Sequence, residues 1–111
     1  MTNLNRLKLE LCNKDYYTDE EYSIFLEEQG LIPTSEYSKQ DNQLSLLNTV
    51  IDILQTLSNN IDYYCKIETE FINKTEAYKN LKSRIDELYT RISLLPSYEP
   101  QVNQFSYLFH N

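Results

Sequence analysis

The twenty residues from Asp41 to Asn60, "DNQLSLLNTVIDILQTLSNN", constrain the fold more than any other stretch of this chain. Leu44, Leu47, Ile51 and Leu54 recur at three- and four-residue intervals, with Val50 and Leu57 one position aside, which is the period of a helix with one broad apolar face. A strand would need alternation instead. The stretch therefore predicts a long amphipathic helix at the centre of the core, ended or weakened by Ser58, Asn59 and Asn60.

The remaining text supplies partners for that helix. In "NLNRLKLEL", Leu4, Leu7 and Leu11 share one helical face with Leu9 at its flank, so a short helix is expected to end near Cys12. In "NKDYYTDEEY", Thr18 and Glu21 form a capping box, and Asp19, Glu20 and Glu21 fall in a first turn, where the helix dipole favours negative charge. Tyr22, Phe25 and Leu26 make the buried stripe of this second helix. Gly30 is placed at its left-handed end, with Pro33 shortly after. "NKTEAYKNLKSRIDELYTRISLLP" reads as another clear helix, opened by Asn73 with Glu76 and stopped by Pro96. Its apolar face is Tyr78, Leu81, Ile85, Leu88 and Ile92, and Lys82 with Asp86 and Glu87 with Arg91 are four-residue charge pairs on the other. "IDYYCKIETEFI", from Ile61 to Ile72, is read as helix to about Ile67 and extended after it, because Cys65, Ile67, Thr69 and Phe71 alternate.

A chain of 111 residues with one glycine and three prolines is one domain by length, and folding buries roughly two thirds of the unfolded surface. The expected class is mainly α, a small helical bundle of about four helices over residues 1–95 with an extended C-terminal tail over 96–111. In that tail, "PSYEPQVNQFSYLFHN", Glu99 is the only charged side chain, two prolines forbid a helix, and Phe105, Tyr107 and Phe109 alternate with Leu108 between two of them. Such a segment suits docking as a β-type strand, so Tyr98, Phe105, Tyr107, Leu108 and Phe109 are assigned to partner binding. Ten tyrosines are an excess that favours interfaces, since each gives a large contact area at low entropic cost. Against this, Tyr22 and Tyr78 are read as core, with Tyr16, Tyr17, Tyr37, Tyr63, Tyr64 and Tyr89 half-buried.

The formal charge of -7 is uneven, with ten acids against four bases in residues 1–60 and seven against six in residues 61–111. Asp15, Asp19, Glu20, Glu21, Glu27 and Glu28 follow one another without a basic residue among them. A surface of that sign repels a phosphate backbone, disfavours sequence-independent DNA binding by phosphate contacts, and suits a basic protein or the wall of a passage through which DNA slides. The two cysteines, Cys12 and Cys65, form no metal-ligand pattern and are expected as buried thiols. The opening residues become charged where a signal peptide needs an uninterrupted apolar run, and no segment has the roughly twenty apolar residues of a membrane span. The chain is therefore expected to be made and used inside a cell.

The residue inventory points away from catalysis. The one histidine, His110, is penultimate, where it is poorly held against a nucleophile. "DYYTDEE" lacks the glycine and the alternating oxygen ligands of a calcium loop. "NKT" at Asn73 matches a glycosylation sequon but serves as a helix cap, and Gly30 alone makes no phosphate loop. No catalytic residue, metal or cofactor is expected, and the chain is read as not an enzyme.

"NKDYYTDEEYSIFLEEQGL", the long apolar helix with "LLNTVIDILQTLSNNIDYY", and the closing "TEAYKNLKSRIDELYTRIS" together resemble, in order of elements over roughly residues 1–95, the small head-tail connector (adaptor) proteins of tailed bacteriophages. The resemblance implies a helical, non-enzymatic virion subunit. It would sit in a ring, usually of twelve, below the portal at the capsid vertex, and be made in the host bacterial cytoplasm. The implied partners are its own copies, the portal protein and a neighbouring neck or tail protein, with DNA only as passing cargo and no membrane. The acids between Asp15 and Glu28 would face the channel or a basic partner, and residues 98–110 would dock. The competing reading is an acidic inhibitor that occupies a nucleic-acid groove by presenting the same carboxylates.

Overall fold

The computed structural model describes residues 1–68 and 72–96, and within them five helices follow in chain order: α1 (Asn3–Glu10), α2 (Asp19–Glu28), α3 (Lys39–Ser58), α4 (Ile61–Ile67) and α5 (Lys74–Ser93). The mainly helical class expected from the sequence is the one observed. The count is five because Asn59 and Asn60 interrupt the chain and set Ile61–Ile67 apart as its own short helix. The extended conformation expected beyond it begins at Glu68, while Thr69 and Phe71 lie outside the described residues, as does the tail from residue 97 onward.

Helix α3 is the axis. Leu46, Leu47, Val50, Ile51, Ile53, Leu54 and Leu57 are all buried, and α1, α2, α4 and α5 all pack against it. Its buried surface is wider than the single stripe legible in the spacing, because neighbours cover it from several sides. The buried Thr49 hydroxyl donates to the Ser45 carbonyl one turn back at 2.7 Å, so it needs no partner outside the helix. The helix also starts two residues before Asp41, since Ser38 accepts from the Asp41 amide and supplies the cap. Its first turn shares a cleft with Pro96, while Val50 lies with Leu88 and Arg91 farther along, so α3 and α5 run in opposite directions.

Both ends of α2 are built by local chemistry. Thr18 and Glu21 make the reciprocal capping box. At the other end the Leu31 amide donates to the Leu26 carbonyl and the Gly30 amide to the Glu27 carbonyl, each at 2.9 Å, with Gly30 at φ 79°. This is a Schellman motif, and Leu26 and Leu31, both buried, give its usual apolar contact. The following segment then satisfies the start of α1: the Asn3 and Leu4 amides donate to the Ser35 and Pro33 carbonyls, and the buried Asn3 side chain donates to the Ile32 carbonyl at 2.8 Å.

Several expectations are corrected, among them Tyr89, which is 52% exposed where half-burial is expected. Tyr78 is 50% exposed, because the adjacent Ala77 is the residue of that turn buried in the core. Arg91 pairs with Glu10 of α1 and leaves Glu87, whereas the Lys82–Asp86 pair forms as expected at 3.3 Å. The cysteines are not both buried: Cys12 is exposed, and Cys65 half-buried. Cys12 and Asn13 both adopt positive φ, 58° and 57°, so the chain reverses out of α1 there and carries the thiol to the surface.

Glu10 joins the first and last helices, accepting from Arg6 at 3.0 Å and from Arg91. Burial pushes its carboxyl up, but the two guanidinium groups outweigh that and hold it below the ordinary value. A carboxyl depressed by folding stabilises the protein above its unfolded value, and that contribution is lost as the pH falls through the folded value. Glu10→Gln should therefore cost about 1.5–3 kcal/mol in urea unfolding at neutral pH, and the gap from the parent should narrow in acid as the parent loses the same interaction. Gly30→Ala tests the Schellman turn separately. A Cβ there meets nothing within 4 Å, so the expected loss of about 1–2 kcal/mol is backbone strain alone. Gly30→Asn should recover part of it in the same assay.

Candidate functional site

The acidic run divides once its surroundings are known. Asp19 accepts from Lys8 of α1 at 3.0 Å, and Glu21 is committed to the cap of its own helix. Asp15 is exposed in the loop before α2, and Glu20, Glu27 and Glu28 project from the helix into solvent. Counting by turns, residues 20, 27 and 28 stand four before, three after and four after Ile24, which is 56% exposed. The outer face of α2 is thus an isoleucine ringed by carboxylates, and no basic residue interrupts it between Asp15 and Glu28. The six acids do not converge on a point, and no group of histidine, cysteine, aspartate or glutamate among the described residues could hold a metal ion. Tyr98, Phe105, Tyr107, Leu108 and Phe109, assigned to partner binding, lie outside the described residues.

What positions the acidic helix is a cluster of tyrosines behind it. Tyr16 and Tyr22 are buried almost completely, and Tyr64 to 4% exposure, where sequence reasoning left Tyr16 and Tyr64 half-buried. The Tyr22 hydroxyl accepts from the Tyr16 amide at 3.0 Å and donates to the Lys14 carbonyl at 2.8 Å, tying the loop before α2 to the helix it precedes. From α4, the Tyr63 hydroxyl donates to the Tyr16 carbonyl. The Tyr16 hydroxyl donates to Glu68 at 2.6 Å, and Lys14 approaches the other Glu68 oxygen at 3.4 Å.

Ring contacts reinforce these bonds. Tyr16 stacks on Tyr64 and Tyr17 on Tyr63, each pair with centroids 5.7 Å apart, while Phe25 lies 5.5 Å from Tyr17. Burial drives the Tyr16 phenol well above its ordinary ionisation range, and the hydrogen bond to Glu68 adds to that. Burial raises Tyr17, Tyr22 and Tyr64 as well. The signal in the sequence was the pair of Tyr-Tyr dipeptides at 16–17 and 63–64. Their crosswise pairing, 48 and 46 residues apart, could not be read from local spacing.

Comparison with protein-family models, with curated proteins and with solved structures gives no match. Among the described residues no helix is long and apolar enough to cross a membrane.

Tyr22→Phe keeps the ring and removes both hydrogen bonds of its hydroxyl, leaving the buried Tyr16 amide and the Lys14 carbonyl without that partner. The expected loss is about 1–3 kcal/mol, with faster amide hydrogen exchange at Tyr16. Unchanged exchange there would mean that the hydroxyl does not hold the loop.

Proposed function

We propose that the chain is a structural assembly protein: a head-tail connector subunit that joins copies of itself in a ring below a phage portal and extends the DNA channel. The outer face of α2 carries this reading. An apolar side chain surrounded by charge has the anatomy of a contact surface, with Ile24 as the anchor and Glu20, Glu27 and Glu28 as a polar rim that steers a basic partner. The same carboxylates disfavour adhesion of passing DNA. The helical order over residues 1–95 supports the reading through the resemblance described above, and the aromatic tail adds a second means of attachment.

An acidic nucleic-acid mimic would use the same face. Asp19 and Glu21 are engaged by Lys8 and by the Thr18 cap, which leaves Asp15, Glu20, Glu27 and Glu28 as the carboxylates of a phosphate-like array unengaged among the described residues. The measurement that separates the two is native mass spectrometry of the purified chain with its cognate portal ring. The chain alone should be monomeric or weakly associated, and addition to the portal should proceed with ring stoichiometry. The Glu20→Gln, Glu27→Gln, Glu28→Gln variant should bind more weakly and with less salt dependence. No adduct with the portal, together with carboxylate-dependent binding to a basic nucleic-acid-binding protein, would transfer the function to the mimic.

A further inference from the structure

A second surface lies apart from the acidic face and has the opposite character. The loop after α1, the end of α4 and the middle of α5 enclose a cleft of about 400 Å³ whose polar lining is Lys14, Tyr16, Glu68, Asn80, Ser83 and Arg84. That volume lies within the range of small-ligand sites, roughly 300–1,000 Å³. In a chain of formal charge -7, this cleft holds two cations against one carboxylate.

The two cations differ in how they are used. Lys14 is engaged with Glu68, whose other oxygen takes the Tyr16 phenol, so the one negative group of the cleft is held and partly neutralised. Arg84 is half-buried and makes no ion pair among the described residues, although Glu10 and Glu87 line the neighbouring cleft on its other side. The planar fork of donors on a partly covered guanidinium matches an oxyanion. Asn80 and Ser83 stand four residues and one residue before it on α5, and both line the same cleft with side chains that can donate.

We infer that this cleft binds a small ligand through an oxyanion group, a phosphate or a carboxylate, seated on Arg84 with Asn80 and Ser83. The Lys14–Glu68–Tyr16 network sets the far wall, and the buried leucine at position 11 gives an apolar floor for the ligand body. This site is independent of the assembly reading and survives if that reading fails.

The test is an amide NMR titration of the full chain with inorganic phosphate and, separately, with benzoate. At least one should give saturable shifts at millimolar concentration, confined to residues 11–16, 67–68 and 80–84. Arg84→Gln removes no ion pair among the described residues, so it should fold normally and weaken binding about tenfold or more, while Arg84→Lys retains part of the affinity. Ser83→Asp, at an exposed position, places a carboxylate at the mouth and should abolish binding even if the arginine variant misfolds. As a second readout, Cys12 borders the cleft, so in a Cys65→Ser background its alkylation by a maleimide should slow as the titrant saturates. Phosphate alone or benzoate alone would identify the oxyanion. Shifts that never saturate, that spread equally to Lys39, Lys66 and Lys79, or that persist in Arg84→Gln and Ser83→Asp would overturn the inference.

Discussion

Burial of α3 is the constraint on which the other elements depend. None of the remaining helices has an apolar face broad enough to form a core alone, and α1 and α4, at 8 and 7 residues, are below the length at which an isolated helix persists in water. Each is stable because it covers part of α3, and α3 in turn hides Leu46, Leu47, Ile53 and Leu54 completely only when several neighbours are present. The Gly30 turn and the Ser38 cap then deliver the chain onto α3 in a defined register.

A second layer of order is polar. Tyrosine hydroxyls from α2 and α4 meet the backbone of the same loop from two directions, at the Tyr16 amide and at the Tyr16 carbonyl. Where the loop is buried, at Tyr16, its peptide groups would otherwise be unsatisfied, and here aromatic side chains provide both the apolar packing and the missing partners. Rigidity in that loop has two consequences. It fixes the start of α2, and so the direction in which Glu20, Ile24, Glu27 and Glu28 point. It also holds Lys14 and Tyr16 against Glu68, forming one wall of the cleft that Arg84 closes from α5.

Much of this fold was legible in local pattern. The three-and-four spacing of α3, the Thr18–Glu21 box, Gly30 at a helix end and the Lys82–Asp86 pair each involve residues within one or two turns, so chain geometry alone brings them together. Errors arose where a choice depended on a distant neighbour. Arg91 had Glu87 within reach on its own helix and took Glu10, because that carboxylate is already withdrawn from water and gains more from a second cation. Tyr78 lost its place on the apolar face to Ala77, since a close helix contact accepts a small side chain where a ring does not fit.

The acidic surface was visible as composition, but its shape was not: two of six carboxylates are engaged at the surface by a lysine and a cap, and an isoleucine with no signal of its own became the centre of the rest. By itself, the amino-acid order determined that the chain is helical, where α2 and α5 begin, and that its front half is acidic, because these follow from neighbours in sequence. Only the tertiary structure decided that Tyr16 and Tyr64 stack at 5.7 Å, that Glu10 ties α1 to α5, and that Lys14 and Arg84 share one cleft. Those contacts join positions 48, 81 and 70 residues apart, and no local periodicity encodes which distant side chains folding will withdraw from water together.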